Sequence, residues 1–195
     1  MREPVHLLGR TEPASSSRPA PLSPGEDPSP TGNGGRAMQG SEIKTVVDWL
    51  AAAAPDPDAF RWDWERSPRG TALLPAGRRW DVLILPGRLG RATLAVLRRL
   101  RGRPGPVLAG PGGTRLGFFV PPGTASGWIG TGVRGAGRGS WIVVPHPGRA
   151  APGARWLVVP DGRGTLTDPA VLELAMHEAA AELAAPAARE PDRSP

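Results

Sequence analysis

The chain has 195 residues, of which 27 are Gly and 25 are Pro, and a formal charge of +6; Cys and Tyr are absent. That is the length of one domain with tails, and the lack of Cys excludes disulfides, thiolate metal ligands and a Cys nucleophile. The sequence pI of about 11.3 overstates the basicity, because with Lys44 as the one lysine almost nothing titrates between about 8 and 12.

Residues 1–40 are rich in Pro, Ser and Gly and hold almost no large apolar group after Leu8. They cannot bury enough surface to offset ordering entropy, so a disordered extension is expected. Composition changes at Met38, which offers an alternative start. Residues 186–195 read as a short disordered tail. Positive and negative residues cancel in both segments, so the whole +6 falls on residues 41–185.

Within that core, Ser41 is placed to cap a helix over 42–54, with Val46, Trp49 and Leu50 on one side. Asp56-Pro57 opens a second helix, since Pro suits the first helical position; Phe60 and Trp64 fall on one face. Thr71–Leu74 and Trp80–Leu85 read as strands around an Ala76-Gly77 turn. Leu89–Arg101 reads as a helix with Leu94, Leu97 and Leu100 apolar and Arg91, Arg98, Arg99 and Arg101 off that stripe. Pro106–Ala109, Leu116–Val120, Trp141–Val144 and Trp156–Val159 read as strands. Asp168-Pro169 opens a last helix along Leu172, Met176, Ala179 and Leu183. Strands and helices mix without regular alternation, which predicts an α+β fold with a mainly antiparallel sheet and flanking helices. No stretch approaches the roughly 18 apolar residues of a membrane span, and no secretory leader is visible. A cytoplasmic protein that does not engage membranes is expected.

Short motifs exclude more than they assign. Gly130-Thr131-Gly132-Val133-Arg134-Gly135 fits G-x-G-x-x-G, but Gly137 and Gly139 discourage the helix that should follow, and the next acid is Asp161. A mobile loop offering backbone amides and arginines to a phosphate is the better reading. His177-Glu178 starts like a zinc-protease motif, but Ala181 stands where the second His belongs. With His6, His146 and His177 as the only histidines, no metal site and no cofactor are expected. Ser67, Ser126 and Ser140 lack a nucleophile elbow. Of seven Trp, Trp49, Trp62, Trp64, Trp80, Trp141 and Trp156 are read as packing or strand-end anchors. Trp128, in a Gly-rich loop, is read as the one facing a ligand.

An absence says most. Between Asp81 and Asp161 there is no Asp or Glu, while that stretch carries eleven Arg. It should build most of the sheet, so one basic face is expected. Mg²⁺ and Mn²⁺ take hard oxygen ligands, chiefly carboxylates, which this stretch cannot supply.

Over residues 41–185 the sequence resembles the short actinobacterial proteins classed with bifunctional DNA primase/polymerase N-terminal domains. The resemblance is carried by Val47-Asp48-Trp49-Leu50, Trp80 to Pro86, Pro104 to Val107, Phe118 to Gly123, Val133-Arg134-Gly135 and Trp141 to Pro145. It implies the archaeo-eukaryotic primase core, built on a sheet like that of an RNA-recognition motif. It also implies two metal-binding Asp at the end of a strand; Leu83 and Leu85, before Pro86, stand at the matching positions. A Gly-Gly-x-His strand should contact the incoming nucleotide; here Gly112-Gly113-Thr114-Arg115 places Arg115 at the His. A third carboxylate should precede Val-Arg-Gly, where this chain has Gly132.

The resemblance thus implies a primase/polymerase-like domain with its carboxylates replaced and no catalysis, since polymerases use two metal ions to activate the attacking hydroxyl. The expected partner is DNA or a nucleotide, held through Arg115, Arg134 and Arg138, with His146 secondary and Arg98, Arg99 and Arg101 against a nucleic-acid backbone. A second reading is an interaction or regulatory module whose arginines pair with an acidic protein. A third is an active primase/polymerase whose metal is held by Asp81 with Asp161 or Glu65.

Overall fold

A computed structural model describes residues 40–185, apart from Arg69, Arg101, Gly102 and Thr131. All the described residues belong to one compact unit. The readings of residues 1–39, of the start at Met38, of Arg101 and of the tail lie outside them. Among the described residues no helix is long and apolar enough to cross a membrane.

The order of elements is α1 (Gly40–Ala51), α2 (Pro57–Arg66), β1 (Thr71–Pro75), β2 (Asp81–Pro86), α3 (Gly87–Arg99), β3 (Val107–Ala109), a 3₁₀ turn (Pro111–Gly113), β4 (Arg115–Val120), α4 (Thr124–Gly127), β5 (Arg134–Ala136), β6 (Trp141–Pro145), β7 (Arg155–Val158) and α5 (Pro169–Ala184). The fold is α+β and every strand pairing is antiparallel, as the sequence predicts. Two helix starts follow the Asp-Pro signal. The Asp56 side chain accepts from the N–H of Asp58 and Ala59, and Asp168 does the same for Ala170 and Val171. Each cap satisfies two of the N–H groups that a helix start leaves without partners.

Five strands form one sheet in the order β5-β2-β4-β3-β7, and β1 and β6 form a separate two-stranded ribbon. One face of the large sheet is covered by α3 and α5. There Leu83, Leu85, Leu116, Phe118 and Val120 pack against Leu94, Leu97, Leu172 and Met176. The other face meets the ribbon and α1, through Trp80, Val82, Phe119, Leu108, Ile142, Val144, Val46 and Leu50.

One expectation holds with an added detail, and another is corrected. Thr71–Leu74 and Trp80–Leu85 flank a turn, closed by the Gly77 N–H donating to the Trp80 carbonyl at 2.8 Å, but they do not pair with each other. β1 pairs with β6 and β2 with β4 and β5, so the turn passes the chain from the ribbon to the sheet. At Gly77, with φ near 87°, a Cβ would lie 2.4 Å from the Arg138 backbone, so only glycine fits. The segment read as a mobile loop contains β5, which pairs Arg134 with Ile84 and Ala136 with Val82. Arg-Gly-Ala has little strand propensity; pairing with a central strand overrides it.

Candidate functional site

Strand alternation sorts β2 into two rows, because successive side chains point to opposite faces. Leu83 and Leu85 lie opposite Phe118 and Leu116 and are fully buried under α3 and α5. The two residues that the resemblance matches to metal ligands therefore point into the helix layer and not toward an open face. The row facing away from the helices is Val82, Ile84 and Pro86.

Residues directly opposite in an antiparallel pair share a face. Arg134 on β5 is opposite Ile84, and Arg115 on β4 is opposite Pro86. Both exposed arginines therefore stand on the face away from the helices, toward the C-terminal end of β2. Between that face and β6 runs a cavity of about 240 Å³, lined by Val82, Ile84, Leu108, Gly117, Ile142 and Val143 among others, with Arg115 and Trp141 also at its wall. Among the described residues, Arg115 is the one charged residue that lines it. Trp141 is 57% exposed, with Val143 and Leu73 beside it also exposed.

The other candidates are dispersed. Arg138 follows β5 beside the Gly77 turn, toward the start of β2. Arg99 bonds Glu178 at 2.9 Å and Glu182 at 2.5 Å on α5. Those two carboxylates hold its guanidinium more firmly protonated. Arg98 reaches the Leu157 carbonyl at 3.4 Å and, with Arg103, lines a separate cavity of about 350 Å³ that also includes Asp161 and Thr165. His146 is buried under α2, edge-on to Trp64. Its Nδ1 accepts from the Gly148 N–H at 3.1 Å, which puts the proton of the neutral ring on Nε2. Burial, and then the charge of Arg149, push its pKa below the ordinary imidazole value against the pull of Glu65. It lines a cavity of about 770 Å³ between α1 and α2, with Asp48, Arg61, Trp62 and Glu65.

The carboxylates named for an alternative metal site stand apart. Asp81 is 1% exposed at the start of β2, and its Oδ2 accepts from the Ala125 N–H at 2.8 Å. A Cβ on Gly137 would come within 3.3 Å of the same carboxylate, so glycine there lets the chain after β5 pass close. Asp161 closes its own loop. Burial alone would raise its pKa, but the Thr165 hydroxyl and the N–H groups of Arg163 and Thr165 donate to it and hold it below the ordinary value. Glu65 lines the α1–α2 cavity. Among the described residues no group of three or more His, Cys, Asp or Glu is placed to hold a metal ion.

The sequence reading of the tryptophans is corrected at three positions. Trp128 is half-buried against the helix-side core. Trp141 and Trp62 are the exposed ones, and Arg66 stacks over Trp62 at 4.1 Å. Strand alternation carried a signal for Trp141. In Trp141-Ile142-Val143-Val144 one row must face outward, and a buried Ile142 and Val144 leave Trp141 and Val143 outside.

No curated protein and no solved structure matches the chain. The family of bifunctional DNA primase/polymerase N-terminal domains matches over residues 8–174, a span that includes both sheets, and the chain belongs to that family.

Proposed function

We propose that residues 41–185 form a primase/polymerase fold that binds nucleic acid or nucleotide phosphate without catalysing phosphoryl transfer. The observation that carries this reading is the pairing across β2. Arg134 and Arg115 flank Ile84 and Pro86 on one face, and neither arginine has a carboxylate within 4.0 Å among the described residues. Arginine forks bind phosphate oxygens in bidentate fashion, which gives both charge and geometry. The same row argues against a two-metal centre. Val82, Ile84 and Pro86 carry no side-chain oxygen, and divalent ions of the Mg²⁺ type need hard oxygen ligands. The side chains present on this face do not fit such ions. Asp81, the nearest acid in the strand, is held by the Ala125 N–H.

Fluorescence anisotropy with labelled single strands of roughly 16 nucleotides and matching duplexes tests the reading. Binding at low salt should weaken as salt rises. Two phosphate contacts to a single strand give a log–log slope of about −1.4, and Arg134→Ala or Arg115→Ala should each reduce its magnitude by about 0.7. Absence of binding at low salt overturns the reading. So does Mg²⁺- or Mn²⁺-dependent nucleotide incorporation by the pure protein.

A further inference from the structure

Among the described residues one edge of β6 pairs with no strand, and the ladder with β1 shows which backbone groups lie on it. The Ala76 N–H donates to the Ser140 carbonyl at 2.9 Å, and the His146 N–H to the Gly70 carbonyl at 2.7 Å. Both pairs continue the register Leu74↔Ile142 and Ala72↔Val144. Bonded and non-bonded pairs alternate in an antiparallel ladder, so Ile142 and Val144 bond to β1. The N–H and C=O groups of Trp141 and Val143 therefore point the other way. Pro145 confirms the parity, because its carbonyl is turned from β1 and accepts from the Trp156 Nε1 at 2.8 Å. Among the described residues β6 pairs with no strand but β1.

The outward edge from Trp141 to Val143 borders the apolar cavity floored by Val82, Ile84, Leu108 and Gly117. Native proteins blunt free edges with charges, Pro or a covering element. β6 carries no charge, and its one Pro, Pro145, stands at its far end, so the outward stretch Trp141-Ile142-Val143 has neither device. We infer that β6 accepts an added strand, an extended acidic segment of a partner protein. Its main chain would pair with Trp141 and Val143, and an apolar side chain would enter the cavity. Strand addition takes affinity from main-chain bonds and specificity from alternate side chains. The acidic character follows from the flanks, where Arg115 and Arg134 stand on the same side of the sheet. A second copy of this chain would bring its own Arg115 and Arg134 to these, like charge against like. Nucleic acid has no alternating ladder of N–H and C=O groups to match the edge. The inference goes beyond the phosphate reading and does not depend on it.

The test uses the full chain and a pool of labelled peptides in which Asp or Glu alternates with Val, Ile, Leu or Phe. Saturable binding at low salt is expected, with a loss of about tenfold or more when the peptide amides on its bonding edge are N-methylated. Val143→Pro removes an outward N–H and leaves the β1 ladder intact, since Pro is tolerated where the N–H side of an edge strand faces solvent. It should abolish peptide binding, leave single-stranded DNA binding unchanged and keep the unfolding midpoint near that of the parent. A variant that fails to fold is replaced by the N-methylation comparison, which needs only the parent protein. Binding indifferent to N-methylation, equal binding of a Lys-for-Glu pool, or no member of the pool binding overturns the inference. So does concentration-dependent dimerisation that the peptides fail to displace.

Discussion

The two faces of the five-stranded sheet carry similar side chains to opposite ends. On the helix side, Leu83, Leu85, Leu116 and Phe118 are sealed by α3 and α5, whose own apolar stripes match them. On the far side, Val82 and Leu108 pack against the ribbon and α1, but together with Gly117 and the half-buried Ile84 they also floor an open groove edged by Arg115 and Trp141. The difference lies in what covers each face, and it shows why apolar character alone does not mark a core. A strand residue is structural when a second layer closes over it and available when the layer stops short.

The sharpest break of this comparison is a pair of truncations on neighbouring β2 residues. Leu83→Ala leaves a cavity beneath two helices and should cost about 2–5 kcal/mol. Ile84→Ala, at the open groove, should cost about 1 kcal/mol. Urea unfolding of the two variants measures the gap, and equal costs would mean that the faces are not distinct in the way described.

Next in size is Asp81, which fastens the start of β2 to α4. Asp81→Ala leaves the Ala125 N–H without its acceptor, a loss of about 1–3 kcal/mol for a buried group. Faster hydrogen exchange at Ala125 and in β5, beside which α4 packs, should accompany it. Unchanged exchange there would reject the fastening role.

A smaller effect separates the groove from the α1–α2 side, where His146 lies. Its folded pKa is below the ordinary value of 6.5, chiefly from burial and then from Arg149. The unfolded chain therefore takes up a proton at a pH where the folded protein resists it. Stability from this group is complete above about 6.5 and is lost as pH falls below that through the lower folded pKa. The groups facing the ring are Arg149 and Glu65. A plot of Tm against pH should decline on the acid side of 6.5 in the parent. His146→Asn, whose Oδ1 can take the Gly148 N–H, should flatten that decline. An identical decline in the variant would assign it to other groups.

Much of this architecture was legible in local chemistry. Asp56-Pro57 and Asp168-Pro169 are complete helix starts within a few residues, so both helices could be read directly. What escaped depends on distant partners. β5 exists because β2 offers it a ladder, and nothing in Arg-Gly-Ala announces that. The partner of β1 lies seventy residues away at β6, beyond the reach of a turn signal. Leu83 and Leu85 match the metal positions through the family resemblance, but their direction is set by register against Phe118 and Leu116. The open row is one residue out of phase, and a shift of one along a strand exchanges its faces. The row that replaces them, Val82 and Ile84, is equally without oxygen, so the chemical expectation rests on different side chains. Charge together with the family resemblance points to Arg115 and Arg134; that they share a face follows only from the pairing across β2.

The smallest predicted effect concerns the arginines that the sequence cannot tell apart. Arg99 and Arg134 are both exposed and both lie in the acid-free stretch. Arg99 already meets Glu178 and Glu182 across the α3–α5 contact, so an arriving phosphate would have to displace two carboxylates and face their charge. Arg134 has no such partner among the described residues and stands beside the groove. Arg99→Ala should therefore leave the DNA affinity and its salt slope unchanged, with a barely measurable shift in Tm that disappears at high salt, where exposed pairs are screened. Arg134→Ala should reduce both affinity and slope. Equal losses from the two substitutions would mean that binding follows total charge over the whole surface, and the distinction between the two faces of the sheet would then carry no functional weight.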